Sequence, residues 1–250
     1  MTTENFSSFS FANASLAEVL RKVLSCFPLP IGEEKIEALI RFGEKVVHTN
    51  RFFNLTSLAT PVEMAIKNFL DSLMVLNFVT FPPHSRLVDV GTGAGFPGLV
   101  LKIVRPDLRF TLIESQQKKA RFLQETVREL KLMEIEVVAQ RVEEAGQNPS
   151  YREQFDFAVS RAVASLPVLV EYLLPLVRVG GVAIAYKGPR VEEELRSARG
   201  IHLLGGGDPE VLFYRLPHVN ESRSLVLIKK LKETPPLYPR RPGKPAKKPL

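Results

Sequence analysis

The sequence predicts an α/β fold, with a doubly wound, mostly parallel sheet of seven strands and an N-terminal helical extension. From residue 85 onward, short apolar segments alternate with amphipathic segments of helical period. A glycine-rich turn follows the first apolar segment, where doubly wound folds bind their ligands. The last two apolar segments have no helix between them, which predicts an antiparallel return at one edge of the sheet.

Residues 1–84 are predicted to form a helical cap. Capping boxes at Ser15–Glu18 and Thr60–Glu63 indicate the starts of two helices, and the second of these is expected to run to about Val79. Between them, an apolar stripe from Ile36 to Val47 predicts another helix, ending before Thr49.

Residues 85–232 are predicted to hold the sheet and its helices. The predicted strands are 86–90, 109–114, 135–140, 154–160, 181–187, 210–216 and 223–231. The predicted helices are 97–104, 117–130, 167–178 and 190–198.

Composition excludes several classes of protein. A single cysteine among 250 residues leaves no internal disulfide and no thiolate metal cluster, and the four histidines lack metal-ligand spacing, so no metal is expected. The N-terminus lacks the order of a signal peptide, and charges and prolines interrupt the most apolar stretch, 166–186. We therefore expect a cytoplasmic protein without membrane contact.

The net charge of +7 is concentrated at the C-terminus. Residues 229–250 hold eight Lys or Arg and one Glu, whereas the other 26 basic and 26 acidic residues cancel. We predict that residues 233–250, the C-terminal segment, form a basic, proline-rich tail that buries little surface and contacts a polyanion. A solvated, disordered end fits the charge equally well. The candidate contacts are Arg240, Arg241, Lys244, Lys247 and Lys248.

The glycine-rich turn is the most informative motif. Glycines at 91, 93 and 95 permit positive φ and let a ligand approach the backbone. Pro97 suits the first turn of a helix. Glu114 ends the next strand, the usual place for a carboxylate that binds a ribose.

Two residues indicate which ligand the turn binds. A dinucleotide fingerprint requires glycine where this chain has Phe96. Asp89, at the end of the first strand, would repel a pyrophosphate but suits an amino group and a sulfonium. The pattern favours S-adenosylmethionine over a nicotinamide cofactor or an ordinary glycine turn.

Later strand ends supply further candidates. Val142 and Glu143 follow the third strand, where an adenine ring would lie. The alternative is that this segment is only a charged loop before a helix. Arg161 ends the fourth strand and Lys187 the fifth, so both are candidates for positioning a substrate. An exposed strand-end lysine is an equal alternative for Lys187.

The acceptor chemistry is narrowed by what the sequence lacks. No Asn/Asp-Pro-Pro-aromatic run, typical of exocyclic amine methylation, follows the fourth strand. Methylation of pyrimidine C5 uses a cysteine nucleophile, and the single cysteine of this chain, Cys26, lies in an early helix. This leaves an acceptor that already offers a lone pair. Asn54 and Thr56, in the linker before the third helix, could hydrogen-bond a base, or could simply cap local structure.

The chain resembles the RsmG (GidB) family of bacterial 16S rRNA guanine-N7 methyltransferases. The matching elements are Asn54-Leu55-Thr56, Phe69-Leu70-Asp71-Ser72-Leu73, the loop from Asp89 to Gly98, Arg141-Val142-Glu143-Glu144, Ser160-Arg161-Ala162 with Ala164-Ser165-Leu166, and Tyr238-Pro239-Arg240-Arg241-Pro242-Gly243 with the basic end. The family commonly has histidine where this chain has Asn68.

The resemblance implies the common methyltransferase fold, S-adenosylmethionine as cofactor and 16S rRNA in the small subunit as partner. It implies a cofactor site at Gly91, Phe96, Glu114, Val142, Glu143 and Arg161. Guanine N7 is unprotonated, so no general base is needed, and no proton-transfer residue is predicted. We expect a monomer. The alternatives are a non-catalytic RNA-binding ribosome-assembly factor and an NAD-dependent oxidoreductase.

Overall fold

The computed structural model describes residues 13–57, 60–219 and 221–250; the rest of the predicted cap, residues 1–12 and 58–59, lies outside the described residues. Its strands are β1 (Arg86–Val90), β2 (Arg109–Ile113), β3 (Ile135–Val138), β4 (Phe155–Arg161), β5 (Val177–Lys187), β6 (Glu210–Leu216) and β7 (Glu221–Lys229). They form one sheet in the order β3-β2-β1-β4-β5-β7-β6. In the described residues β1 to β5 pair in parallel, and β7 runs antiparallel to both of its neighbours, β5 and β6. The predicted fold class is confirmed.

The helices are α1 (Leu16–Ser25), α2 (Glu33–Asn50), α3 (61–77), α4 (Gly98–Val104), α5 (Gln117–Glu129), α6 (Val142–Ala145), α7 (Leu166–Leu173), α8 (Val191–Ser197) and α9 (Lys244–Lys247). Both predicted capping residues, Ser15 and Thr60, accept a hydrogen bond from the backbone three residues later. The stretch α3 is irregular, because Met64–Leu70 is a π-helix and Met74–Asn77 a 3-10 helix. Such a π segment is often found at functional sites.

Two apolar clusters form the core, one on each face of the sheet. Successive side chains of β1 point to opposite faces of the sheet. Leu87 belongs to the cluster that includes α1 to α4, and Val88 belongs to the cluster that includes α7. The N-terminal helices are thus packed on one face of the sheet, and α3 reaches its carboxyl edge. Among the described residues, no helix has the length and apolar character needed to span a membrane.

The boundary between α7 and β5 differs from the prediction. The helix ends at Leu173 rather than 178, and the strand begins at Val177 rather than 181. Gly180 has a φ of +87°, and the register along β4 jumps from Val177 to Val182. A bulge therefore keeps Gly180 and Gly181 inside β5, where the sequence suggested a break between helix and strand.

The expectation that the C-terminal segment buries little surface is wrong. Glu171 of α7 is completely buried and binds Arg240, with 2.5 Å between the guanidinium and the carboxylate. The Arg152 guanidinium donates to the carbonyls of Tyr238 and Thr234, each at 2.6 Å. Counting charges along the sequence overlooked Glu171 and Arg152, the partners of the segment, which lie far from it in the chain.

Candidate functional site

A pocket of about 840 Å³ opens at the carboxyl edge of the sheet, where the strand order reverses between β1 and β4. This is the position at which open α/β sheets bind ligands. Its wall is formed by the glycine loop, the linker at 55–57, α3, and the residues that follow β4 and β5. Arg161, Lys187, Lys67, Lys119 and Arg223 contribute cationic groups to it.

The three glycines of the loop have different roles. All have positive φ, but a Cβ on Gly91 would lie 2.5 Å from the Val163 side chain, and a Cβ on Gly95 would lie 2.6 Å from Leu99. At Gly93 the nearest atom would be 3.9 Å away, on the Gly91 carbonyl. Gly93 therefore faces the open pocket, whereas Gly95, predicted to contact the cofactor, is required for packing inside the loop.

Phe96 joins the loop to the helical cap. Its ring centroid lies 5.1 Å from that of Phe42 and 5.2 Å from that of Phe69. The Arg161 guanidinium lies over the same ring, 5.6 Å from its centroid. Aromatic packing and a cation–π contact thus hold Phe96 where dinucleotide-binding loops have glycine.

The two carboxylates predicted to face the ligand hold the loop itself. Asp89 is completely buried and accepts a hydrogen bond from the Gly98 N–H at 2.8 Å. Glu114, 5% exposed, accepts from the N–H groups of Gly93 at 3.0 Å and Gln116 at 2.7 Å. Burial raises the pKa of Asp89 to about 6, although the nearby Thr92 hydroxyl, the hydrogen bond from Gly98 and the charge of Arg161 oppose that shift. Asp89 Oδ1 has no hydrogen-bond partner among the described residues.

Arg161 connects the end of β4 to α3. Its guanidinium donates to Asp71 Oδ2 at 3.1 Å, to Asn68 Oδ1 at 2.9 Å and to the Lys67 carbonyl. The other Asp71 oxygen accepts from the Tyr214 hydroxyl at 2.7 Å, and burial holds the pKa of that phenol above its ordinary range. Arg161 is thereby fixed at the edge of the pocket, with its donors directed at α3.

Lys187 is similarly engaged. Its Nζ lies 2.6 Å from Glu194 of α8 and donates to the Ala164 carbonyl at 2.7 Å. Glu194 also accepts from the Leu166 N–H, at the start of α7. Lys187 therefore holds together the segments that follow β4 and β5, and its side chain is only 7% exposed.

Glu143 is directed away from the pocket. Its carboxylate accepts from the Gly243 N–H of the C-terminal segment at 2.9 Å, and from the Tyr172 hydroxyl at 3.5 Å. Val142 packs against the second core cluster. Both residues do follow β3 at the carboxyl edge, as predicted, but the Glu143 side chain is occupied and only its backbone can serve a ligand.

The predicted RNA-binding residues fall in two places. Thr56 lines the pocket beside Leu55, and Asn50 Oδ1 accepts from the backbone N–H of both; Asn54 is exposed. In the C-terminal segment, Arg240 is used in the ion pair with Glu171, whose hydrogen bond raises the pKa of Arg240, so its role as an RNA contact is not favoured. Exposed cations of that segment are Arg241, Lys244, Lys247 and Lys248.

Sequence reasoning missed several groups at the site. Asp71 and Lys67 line the pocket from α3, and Lys67 bridges Glu63 at 3.2 Å and Glu221 at 2.7 Å. An isolated carboxylate inside the apolar run 69–73 was a usable signal, because buried carboxylates need a partner. The sequence offered no comparable signal for the π-helical stretch Met64–Leu70. Within 13–57, 60–219 and 221–250, the structure contains no cluster of three or more metal-ligating side chains.

The residues present fit a polar ligand with a nucleoside part. Gly93 leaves room for close approach, and Asp89 and Glu114 lie directly beneath the loop. Three groups around the pocket have no hydrogen-bond partner among the described residues, namely Asp89 Oδ1, Thr92 Oγ1 and Asn68 Nδ2. Two of these residues, Thr92 and Asn68, line the pocket itself, and Asp89 lies under its glycine loop.

Sequence comparison gives a consistent family. The family model GidB, described as rRNA small subunit methyltransferase G, matches residues 35–211. The chain is 44% identical over 236 residues to ribosomal RNA small subunit methyltransferase G of Pelotomaculum thermopropionicum, covering 94% of this chain and 99% of that protein. It is 47% identical over 218 residues to the protein of the same name from Moorella thermoacetica, covering 87% and 91%.

Solved structures show the same fold at low identity. An O-methyltransferase from Bacillus cereus in complex with SAH aligns with a TM-score of 0.56 at 18% identity, over 84% of this chain and 96% of that chain. A predicted O-methyltransferase from Agrobacterium tumefaciens aligns with a TM-score of 0.53 at 19% identity, over 66% and 83%.

Proposed function

We propose that this chain, which belongs to the rRNA small subunit methyltransferase G family, transfers a methyl group from S-adenosylmethionine to N7 of a guanine in 16S rRNA. The observation that carries the proposal is the open pocket in front of Gly93, at the switch point of the sheet and lined by cations. In this proposal the protein is a cytoplasmic monomer, acting without a metal and without membrane contact.

The cofactor would be held by residues at the ends of four strands, β1 to β4. The proposed set is Asp89, Gly91, Gly93, Gly95, Phe96, Glu114, Val142, Glu143 and Arg161. Within it, Gly93 provides the approach, Asp89 the negative charge opposite an ammonium, and Glu114 the acceptor for a ribose. Gly91, Gly95 and Phe96 act indirectly, by fixing the shape of the loop.

The proposed reaction needs placement more than proton transfer. When bound, S-adenosylmethionine supplies an electrophilic methyl group on a sulfonium. In that transfer the guanine N7 lone pair would form the new N–C bond, and the electron pair of the broken S–C bond would stay on sulfur. Arg161 and Lys187 already donate to carboxylate and carbonyl acceptors of the protein, which fixes them at the wall of the pocket. They are positioning residues, and no side chain is required as a base.

RNA would enter over the linker side of the pocket. Thr56 lies on the pocket wall and Asn54 beside it, while Phe52 is 76% exposed in the same linker and offers a ring for base stacking. Arg241, Lys244, Lys247 and Lys248 would add phosphate contacts from the C-terminal segment.

The test uses the purified protein and small subunits from a strain that lacks it. We expect binding of radiolabelled S-adenosylmethionine but not of NAD, and methyl transfer to 16S rRNA. Borohydride reduction followed by aniline should then cleave the methylated RNA at one site. Binding of NAD alone would favour an oxidoreductase, and RNA binding without methyl transfer would favour an assembly factor. Methylated RNA that resists cleavage would exclude N7 as the acceptor.

A further inference from the structure

The C-terminal segment is docked on the residues that follow β3, by contacts on both sides of α6. The Gly243 N–H donates to the buried Glu143 carboxylate at 2.9 Å. On the other side, Gln147 Nε2 donates to the carbonyls of Pro239 at 2.9 Å and Pro236 at 3.1 Å.

Close packing accompanies these hydrogen bonds. A Cβ on Gly146 would lie 2.7 Å from the Pro239 ring, so the Pro239 ring packs directly on the backbone at the end of α6 and leaves no room for a side chain there. Arg152 links the same places, because its NH1 donates to the Gly146 carbonyl at 2.9 Å and to the Tyr238 carbonyl at 2.6 Å.

Arg240 is the main anchor of the segment. Glu171 is completely buried, and it accepts from the Arg240 backbone N–H at 2.8 Å as well as from the guanidinium. The same guanidinium nitrogen that binds Glu171 Oε2 also donates to the Lys248 carbonyl at 2.8 Å, which shapes the end of the segment. Two buried carboxylates, Glu143 and Glu171, therefore obtain donors from the C-terminal segment, and neither can be left unpaired in an apolar interior without a penalty.

We infer that the C-terminal segment is a positioning element of the cofactor site, which holds residues 141–147 in the place where the adenine is recognised. The inference rests on the proposed function, because the adenine position comes from it. It assigns the side chains of Arg240 and Glu143 a role that acts through the backbone of that stretch rather than through their own contact with RNA or cofactor. A shift of residues 141–147 would weaken recognition of the purine more than recognition of the amino-acid part of the cofactor.

The experiment compares binding of two ligands by calorimetry: S-adenosylhomocysteine, and S-inosylhomocysteine, which carries hypoxanthine in place of adenine. The variants are Arg240→Met, the milder Arg240→Lys and the control Lys232→Met, an exposed cation just outside the segment. Each is measured below the temperature at which its circular dichroism departs from the native spectrum.

For Arg240→Met we expect about tenfold weaker binding of S-adenosylhomocysteine, within the usual range of coupling between sites, and a reduced preference for adenine over hypoxanthine. Arg240→Lys should lie between wild type and Arg240→Met, because lysine keeps the charge but loses the bidentate geometry. Lys232→Met should match wild type. If Arg240→Met does not fold, the reduced preference in Arg240→Lys decides.

An Arg240 variant that melts earlier but keeps the wild-type preference would overturn the inference, because the segment would then be only structural. A wild-type protein that binds neither ligand would overturn the proposed function instead. The two failures are therefore distinguishable.

Discussion

The glycine loop and the C-terminal segment solve the same problem with contacts of different range. Each satisfies buried carboxylates with backbone N–H groups: Asp89 and Glu114 in the loop, and Glu143 and Glu171 under the segment. In the loop the partners are 9 and 21 residues apart, whereas in the segment they are 69 and 100 residues apart. A short motif can reveal the first kind of contact, and only the folded chain can reveal the second.

The first prediction tests whether the segment is as much a part of the fold as the loop. Deleting residues 235–250 removes Arg240 and leaves Glu171 as an unpaired buried carboxylate, which typically costs about 3–5 kcal/mol. For a protein of this size that corresponds to a melting temperature lower by roughly 10 °C. Differential scanning calorimetry of the truncated and full chains measures it.

An unchanged melting temperature would show that the segment is a solvated tail after all. As a control, neutralising the exposed Lys232 and Lys229 lowers the charge near the segment without touching a buried carboxylate, and should leave the melting temperature nearly unchanged.

The second prediction separates two glycines within the loop. Gly95→Ala places a Cβ 2.6 Å from Leu99 and 3.0 Å from Phe42 at a φ of +104°, and should lower the free energy of unfolding by about 2–4 kcal/mol through overpacking and backbone strain. Gly93→Ala meets open space, so it should lose only about 1 kcal/mol for its positive φ.

Cofactor affinity should reverse this order of effects. Gly93→Val fills the side of the loop that faces the pocket and should weaken binding of S-adenosylmethionine more than Gly95→Ala does. Denaturant titration and calorimetry on the same variants provide both measurements. Equal loss of affinity in the two variants, after correction for unfolded protein, would contradict the separation of roles.

How much the sequence could predict follows the same division. The order of the elements, the loop at 91–96 and the placement of Glu114 and Arg161 at strand ends come from local periodicity and strand-end geometry. The roles of Glu143 and Arg240 could not be predicted, because each depends on a neighbour that the fold brings from a distant part of the chain: Gly243 and Glu171. The same is true of Asp71, which is paired with Arg161 and Tyr214.

The third prediction concerns the cations that the segment leaves exposed. Replacing Arg241, Lys244, Lys247 and Lys248 by glutamine should keep the melting temperature within a degree or two, because none of these side chains is buried. If all of them contact phosphate, the slope of log affinity against log salt should fall by roughly 3, at about 0.7 per contact with single-stranded RNA. Filter binding of 16S rRNA fragments across a salt series measures the slope. An unchanged slope would place the RNA contacts elsewhere on the protein.

The last prediction uses the titration of Asp89 and has the smallest expected effect. Burial raises its pKa from 3.8 to about 6, so the folded protein keeps a proton that the unfolded chain loses, and Asp89 lowers stability as pH rises from about 4 to 6. A cofactor ammonium favours the ionised form, so affinity for S-adenosylmethionine should rise about tenfold between pH 5 and pH 7 and level off above that. Asp89→Asn cannot ionise, yet its amide oxygen can still accept from the Gly98 N–H. Calorimetry from pH 5 to pH 8 should therefore give a flatter profile for this variant, with weaker binding at pH 7. Identical profiles would mean that the carboxylate serves only to hold the loop, as Glu171 and Glu143 hold the C-terminal segment.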